Sequence, residues 1–326
     1  MANIRDIANL TGLSTATVSR HLNKKPYVSK EAQRAIERAM DHLGYHPNAA
    51  AQSLRSGKTQ RIVVVLDSVD YSFYGALLAG ISDIARRHSF DLLVQQSGSP
   101  QWSPQLLLEQ ARSRSMDGII VAAEAHEREA FLSLLGTVPL VACDQALFDV
   151  DCPRVYIDHY QSTIEGLEHL HERGATAIAA RYGHEACASN RFRRQAYADF
   201  ADRVGAPVVH EVMCEDNTVA DGPKILDRMM ALSPRPDAVF AGGDDLAVGL
   251  LAAAKRRGIA VPSELAILGF DDLPIADVFE ISTIRQPVRR MGQYAMKTLM
   301  RLLDSPKHNV AKATQVKHHL VVRSTT

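Results

Sequence analysis

The N-terminal segment of this 326-residue chain carries two short helical patterns separated by a glycine. Gly12 permits the sharp turn between two helices, since glycine adopts backbone angles that other residues resist. Ser14 follows as a predicted N-cap of the second helix, because its oxygen can accept from the free amides of the first turn. The apolar residues expected to face a small shared core are Ile4, Ile7, Ala8, Leu10, Val18 and Leu22. This spacing predicts a helix-turn-helix motif, followed by a third helix.

Charge is distributed unevenly along the chain. Residues 1–61 contain ten basic and four acidic residues, whereas the whole chain contains 37 of each. A net charge of zero therefore hides a basic N-terminal segment with six excess positive charges and a remainder with six excess negative charges. Such asymmetry predicts a polyanionic partner, double-stranded DNA, for the N-terminal segment alone.

An alanine-rich segment, residues 48–56, lies between Pro47 and Gly57. An isolated helix this short is marginally stable in water, so we expect it to become ordered only against DNA or a partner chain. We therefore predict that it couples the N-terminal helices to the rest of the protein. The predicted boundaries are 1–46 for a helix-turn-helix domain, 47–60 for a hinge helix and linker, and 61–326 for a core.

From Arg61 to Phe270, short apolar runs alternate with amphipathic helical patterns. Continuous apolar strands separated by helices predict parallel sheets covered on both faces, and the length allows two such doubly wound units. The predicted fold is therefore α/β, with three N-terminal helices and a hinge helix before a core of two parallel-sheet subdomains. The predicted strands are 62–66, 91–95, 118–122, 140–143, 155–157, 175–180, 208–212, 238–241 and 266–270.

Acidic residues follow many of these apolar runs, at the strand ends where such sheets bind ligands. These residues are Asp67, Asp144, Asp158, Asp244, Asp245, Asp271 and Asp272. Carboxylates accept hydrogen bonds from hydroxyl groups and an arginine such as Arg193 donates two in parallel, so this set predicts a neutral, hydroxyl-rich ligand. Phe73 and Tyr74 are predicted to form an apolar wall of the cleft.

Several classes of protein are disfavoured by the sequence. No segment is long and apolar enough for a membrane span, and the N-terminus lacks the apolar segment of a signal peptide, which predicts a cytoplasmic location. Four widely spaced cysteines predict buried thiols, without disulfides or a metal site. The adjacent Asp244 and Asp245 do not suit the separated carboxylates of a glycosidase. We expect no enzymatic activity, no cofactor and no bound metal.

Motifs spread over the chain carry a family resemblance. They are I-x-D-I-A-x-L-x-G-x-S-x-A-T-V-S-R at 4–20, LGYHPNAAA at 43–51, SLR at 53–55, GDDLAVG at 243–249, GIAVP at 258–262, LGFDD at 268–272 and VRST at 322–325. Over nearly its full length the chain resembles the lactose-repressor/galactose-repressor family of bacterial transcription regulators.

The resemblance implies a homodimer whose core resembles periplasmic binding proteins, with two subdomains joined by three crossovers. The implied N-subdomain spans about 61–159 and 288–316, and the implied C-subdomain about 160–287 and 317–326. A hinge-helix leucine, matched here by Leu54, would insert into the minor groove of operator DNA. Arg20, with Thr15 and Ala16, matches the base-reading positions, and a bidentate arginine–guanine pair is the commonest specific contact.

The resemblance also matches Arg193 and Asp271 to the effector-binding arginine and aspartate. The full set expected to bind DNA is Ser14, Thr15, Ala16, Thr17, Ser19, Arg20, Asn48, Ala51, Leu54 and Arg55. The full set expected to bind the effector is Phe73, Tyr74, Asp144, Ser189, Arg193, Asp244 and Asp271.

The chain departs from the family pattern at four positions. Gly243 and His159 replace asparagines, His21 takes a generally apolar position and Ala196 replaces a glycine. These departures leave the identity of the effector open. A repressor of carbohydrate-utilisation genes that a sugar releases from its operator is the favoured interpretation. The alternatives are a co-repressor-type regulator that binds a purine, nucleoside or phosphorylated ligand, and a ligand-binding protein without DNA activity.

Overall fold

The computed structural model divides the chain into two compact units, Met1–Thr59 and Gln60–Thr326. It describes residues 2–22, 26–45, 57–97, 99, 102–123, 128–144, 147, 150–183, 188–204, 208–213, 217–304 and 311–326. The predicted hinge residues Asn48, Ala51, Leu54 and Arg55 lie outside these ranges. No helix of the described residues is long and apolar enough to cross a membrane.

The first unit contains three helices, α1 (Ile4–Thr11), α2 (Thr15–Leu22) and α3 (Lys30–Leu43). Asn3 caps α1 in a reciprocal capping box with Asp6, and Gly12 ends the helix with a left-handed φ of 70°. Ser29 caps α3 through a hydrogen bond from the amide of Ala32. The buried core of this unit consists of Ile7, Ala8, Val18, Ile36 and Ala39. These short helices are stabilised by that shared core and by their caps.

One predicted core residue of the first unit is wrong. Leu10 is 53% exposed. The buried face of α1 follows Ile7, Ala8 and the next turn at Thr11, whose hydroxyl donates to the carbonyl of Ile7. At about 100° per residue, Thr11 projects between Ile7 and Ala8, whereas Leu10 projects on the far side of Ile7, away from Ala8. Leu10 therefore lies at the edge of the buried face. Leu22 packs against the core as expected.

The second unit contains two six-stranded sheets. The first has the order β11-β5-β4-β3-β1-β2 and the second β12-β10-β9-β8-β6-β7, and all pairs are parallel except β10 with β12. The strands of the first sheet are β1 (Arg61–Leu66), β2 (Asp91–Gln96), β3 (Gly118–Val121), β4 (Leu140–Cys143), β5 (Arg154–Tyr156) and β11 (Ala313–Gln315). Those of the second are β6 (Ala177–Tyr182), β7 (Val208–Met213), β8 (Ala238–Phe240), β9 (Ala266–Asp271), β10 (Ser282–Arg285) and β12 (His319–Val321).

The described helices of this unit pack on the faces of the sheets. They are α4 (Ser72–Arg87), α5 (Pro104–Arg112), α6 (Arg128–Leu134), α7 (His159–Glu172), α8 (Ala188–Val204), α9 (Gly222–Met230), α10 (Asp244–Arg256), α11 (Pro274–Val278) and α12 (Val288–Asp304). The apolar runs predicted as strands are strands, and the largest shift is at β6, which begins two residues later than predicted. The elements beyond Asp271 were not predicted. Cys143 and Cys152 are buried free thiols, as expected.

Helices α4 and α12 approach each other through a glycine on each helix. A Cβ atom at Gly80 would overlap the carbonyl oxygen of Arg289, and one at Gly292 would overlap the carbonyl oxygen of Leu77. Beside this crossing, the Arg289 guanidinium donates to both oxygens of Asp83, at 2.9 and 3.0 Å. The glycines therefore permit backbone contact, and the bidentate ion pair fixes the two helices relative to each other.

We predict that Gly80→Ala destabilises the protein by about 1–3 kcal/mol, because the added methyl group meets backbone atoms that cannot rotate away. Gly75→Ala on the same helix is the matched control, since a Cβ there would meet nothing within 4 Å. The control should be neutral or stabilising by up to about 1 kcal/mol, because alanine favours the helix. Chemical denaturation of both variants provides the measurement, and equal stabilities would contradict the close packing.

Candidate DNA-binding surface and effector cleft

The second helix of the first unit exposes the residues predicted to read DNA. Val18 is fully buried and anchors the helix, whereas Thr15, Ala16 and Arg20 are exposed on its outer side. Ser14 is also exposed, and its hydroxyl oxygen accepts from the amide of Thr17 at 3.1 Å. The Ser14 and Thr17 hydroxyls also form a hydrogen bond of 2.9 Å.

Ser19, the remaining predicted DNA-binding residue of α2, is half-buried, as is Thr17. An arginine and small side chains on the exposed side of a rigid, capped helix suit insertion into a major groove. Their contacts with DNA remain a prediction.

In the second unit, a buried histidine joins two of the predicted effector-binding residues. His159 Nε2 lies 2.6 Å from a carboxylate oxygen of Asp144, at the end of β4. Nε of Arg193, on α8, donates to His159 Nδ1 over 3.3 Å. Because Nδ1 accepts a hydrogen bond, the neutral imidazole carries its proton on Nε2, and this N–H group donates a hydrogen bond to Asp144. Burial lowers the pKa of His159, and the attraction of Asp144 opposes this effect without overcoming it.

The aromatic ring of Phe270 underlies this network. The His159 ring stacks on it with centroids 5.6 Å apart, and the Arg193 guanidinium lies 4.1 Å from its centroid. Arg193 Nη1 donates to the carbonyl of Gly242 at 3.0 Å. These contacts hold Arg193, which is only 7% exposed, in one orientation at the carboxyl ends of β8 and β9.

Asp271, at the end of β9, is buried beside the network. Its carboxylate accepts a hydrogen bond from the side-chain amide of Gln286. Burial raises the pKa of Asp271 well above its ordinary value, and the nearby charge of Asp244 raises it further, whereas Gln286 and Arg193 lower it less. The protonated form is therefore favoured in the folded protein.

Asp244 has a different environment from that expected of a ligand-binding carboxylate. One oxygen accepts from the hydroxyl of Thr283 and the other from the amide of Leu273, both at 2.7 Å. Only 1% of the residue is exposed, and burial raises its pKa. With both oxygens engaged by the protein, Asp244 fixes the loop after β9 and thereby positions Asp271. Its contact with an effector stays a prediction.

The first sheet contributes aromatic and hydroxyl groups at its carboxyl edge. The Tyr74 hydroxyl donates to Asp67 at 2.8 Å, and the Ser97 hydroxyl donates to the other oxygen of the same carboxylate at 2.8 Å. Phe73 packs edge-to-face on Tyr74, with centroids 5.2 Å apart. The two aromatic residues therefore lie together beside Asp67, which follows β1, and their role as an apolar wall of the cleft stays a prediction.

The structure thus brings Asp144, Arg193 and Asp271 together. Ser189 lies one turn before Arg193 on α8 and is half-buried. Sequence reasoning did not select His159 as a site residue, although its presence at a position matched to an asparagine was a signal. It also did not select Arg181, a buried arginine in the otherwise apolar strand β6.

Burial of Asp271 makes stability depend on pH. Its pKa is raised on folding, so the folded protein binds the proton more tightly than the unfolded chain, and stability falls as pH rises above about 4. We predict that Asp271→Asn, which has no proton to lose, reduces the fall in the thermal midpoint between pH 5 and pH 8. The control Asp304→Asn removes an exposed carboxylate and should leave the slope unchanged. An identical slope in Asp271→Asn and wild type would show that Asp271 is ionised throughout.

Comparison with known proteins gives two family matches. Residues 3–48 match the model of bacterial regulatory proteins of the lacI family, and residues 167–326 match a periplasmic binding protein-like domain. The uncharacterized HTH-type transcriptional regulator YkvZ of Bacillus subtilis (strain 168) is 32% identical over 303 residues, which cover 92% of each chain.

Solved structures share the fold. The lac repressor dimer bound to operator and the anti-inducer ONPF has a TM-score of 0.85 and 23% identity, covering 100% of this chain and 99% of that one. The transcriptional regulator CelR in complex with cellobiose has a TM-score of 0.73 and 22% identity, with complete coverage of both chains. With a capped helix-turn-helix unit followed by two mostly parallel sheets, the chain belongs to the lacI family and is a DNA-binding transcriptional regulator.

Proposed function

We propose that this regulator is a homodimeric repressor of carbohydrate-utilisation genes, which a sugar or sugar derivative releases from its operator. The observation that carries the effector part of this proposal is the hydrogen-bonded network Asp144–His159–Arg193. It connects the end of a strand in the first sheet with a helix packed beside the second. A ligand bound there contacts both halves of the core at once and can change their relative position.

Operator recognition is assigned to the exposed side of α2. Arg20 has the reach and the paired donors needed for a guanine, and Thr15 and Ala16 are small enough to let the helix approach the base edges. One such helix contacts too few base pairs to define a site in a genome. Two copies related by a two-fold axis would recognise a pseudo-palindromic operator.

Exposed apolar residues of the second unit support a dimer. Leu93 and Val94 are each 43% exposed on β2, the edge strand of the first sheet. Val278 and Phe279, at the end of α11, are 75% and 46% exposed. Apolar groups on an edge strand and on a short helix are features that a second copy of the chain would cover.

Coupling between the cleft and the operator is proposed to pass through residues 47–60. The hinge helix expected there is too short to be stable alone, so a small change in the separation of its two copies can melt it. Coupling free energies between sites are typically about 1–3 kcal/mol, which corresponds to a roughly 5- to 150-fold change in operator affinity. Such a change is sufficient for induction.

We predict that Arg20→Ala weakens operator binding by about 1–3 kcal/mol and relaxes the base preference at one position in each half-site. Arg34→Ala is the control, because it removes the same charge from the exposed face of α3. Mobility-shift titrations on operator, on single-base operator variants and on random DNA would measure the effect. Equal losses on all three would assign Arg20 to a phosphate contact instead.

We predict that Arg193→Ala abolishes release by the effector while operator affinity in its absence is retained. A thermal-shift panel of sugars and nucleosides identifies the effector, since a ligand that binds the folded state raises its stability. Operator binding is then titrated with that compound for wild type, Arg193→Ala and the control Arg191→Ala, which alters an exposed arginine on the same helix. Unchanged release in Arg193→Ala would exclude this site. Tighter operator binding with a nucleoside would favour the co-repressor alternative.

A further inference from the structure

The amide of Asn217 fills the space that a side chain at position 243 would need. Gly243, after β8, has an extended backbone with a φ of −167° and a ψ of 153°, a conformation that any residue adopts. A Cβ atom built there would overlap Nδ2 of Asn217 and lie 3.0 Å from its Cγ. Position 243 therefore lacks a side chain to make room for this amide, and not because of its backbone conformation.

This exchange does not serve the helix that follows. Gly243 is the N-cap of α10, and it has no side chain to accept from the first amides of the helix, as serine, asparagine or aspartate would. Asn217 does not supply that contact either, since its Oδ1 atom is buried and has no hydrogen-bond partner among the described residues. The acceptor that fills the place of a cap is thus left unused by the described part of the protein.

The segment that carries Asn217 is held tightly against α10. Thr218 donates to one oxygen of Asp221 through its amide, at 2.9 Å, and through its hydroxyl, at 2.6 Å. A Cβ atom at Gly249, on α10, would overlap the carbonyl oxygen of Val219. These backbone contacts fix the segment on the helix, so Asn217 is presented from a rigid support.

Asn217 lies next to the place where Arg193 is anchored. Gly242 precedes Gly243 at the carboxyl end of β8, and its carbonyl accepts from Nη1 of Arg193 at 3.0 Å. Cα atoms of consecutive residues are about 3.8 Å apart, so the guanidinium and the amide adjoin neighbouring residues of one strand end. Ligands of parallel-sheet folds bind beyond such ends.

The chemistry of an unused acceptor points to a ligand that donates. A buried acceptor without a donor is costly, and nearly all buried polar groups of folded proteins have a partner. Oε1 of Gln286, after β10, is a second such acceptor, while Nε2 of the same amide donates to Asp271. A hydroxyl group both donates and accepts, so it suits the amide of Asn217 in either of its two orientations. An ionised carboxylate only accepts and does not suit Oδ1.

We propose that Asn217 contacts the effector and sets its specificity, by a hydrogen bond to a hydroxyl group of a sugar that Arg193 also binds. The inference rests on the proposed function and adds to it a residue that the sequence did not select. The amide accepts from one hydroxyl group, and the Arg193 guanidinium donates to a neighbouring one. A sugar without the first hydroxyl group is bound more weakly, because it leaves the buried acceptor unpaired.

The shared space is tested first, without any ligand. The thermal midpoint of the full chain is measured for Gly243→Asn, for Asn217→Ala and for the double variant, which moves the amide from position 217 to position 243. We expect Gly243→Asn to lower the midpoint in the wild-type background and to leave it unchanged or raise it in the Asn217→Ala background, where the space is free. Equal effects of Gly243→Asn in both backgrounds would overturn the exchange of side chains on which the inference depends.

Neutral sugars then test the contact itself. Binding of glucose, galactose, mannose and arabinose to the full chain is measured by calorimetry, and any sugar that binds is compared with its single-deoxy analogues. We expect wild type to bind one deoxy analogue about 10-fold more weakly than the parent sugar. Asn217→Ala should bind the parent sugar about as weakly and no longer distinguish that analogue. Gln195→Ala is the control, because it removes an exposed amide from α8, and it should bind both as wild type does.

The outcomes separate this inference from the proposed function. If Asn217→Ala binds the sugar as tightly as wild type, or still distinguishes the deoxy analogue, the contact is overturned and the repressor function stands. Loss of both in Asn217→Ala, with a sugar that fails to release wild type from operator DNA, would support the contact and contradict the repressor function alone. Binding of none of the sugars to wild type would contradict both.

Discussion

The burial of one histidine between an aspartate and an arginine holds the two halves of the core together at the cleft. Neutral imidazole has one donor and one acceptor, and His159 uses both, toward Asp144 and Arg193. One partner follows a strand of the first sheet and the other lies on a helix beside the second. Loss of either would leave a buried polar group unpaired, so the histidine couples the positions of both.

This arrangement gives the proposed sensing of a ligand a physical basis. A ligand that accepted hydrogen bonds from Arg193 would compete with His159 and Gly242 for the same guanidinium, and a movement of His159 would alter its hydrogen bond to Asp144. The Phe270 ring packs against both the His159 imidazole and the Arg193 guanidinium, and so links the two side chains. Two discrete arrangements of such a network are what a switch requires.

Sequence patterns predict the elements of this fold better than they predict its contacts. Burial of a strand on both faces produces a continuous apolar run, and this signal predicts nine parallel strands close to their observed ends. The helical pattern fails for Leu10, because four apolar residues on a short helix define its buried face only approximately. The elements after Asp271 have weaker patterns, since β10 contains polar residues that pack inside.

The candidate site was only partly predictable for a similar reason. The strand-end rule selects Asp144 and Asp271, which lie near Arg193, and also Asp244, but it does not reveal that the hydrogen-bond partners of Asp244 are distant in sequence. The amide of Asn217, on the segment after β7, occupies the space that a side chain at position 243 would fill. Such compensation between a glycine and a distant amide leaves no periodic signal in the sequence.

The protonation state of His159 is the most direct test of this account. Nitrogen NMR of imidazole-labelled protein, with the His159 resonances assigned by their loss in His159→Gln, reports which ring nitrogen carries the proton. We expect a ring that is protonated on Nε2 and stays neutral as the pH falls through the ordinary histidine pKa of about 6.5, because burial lowers the pKa of His159. An imidazole that is protonated on Nδ1, or that titrates near its ordinary pKa, would contradict the bridging role.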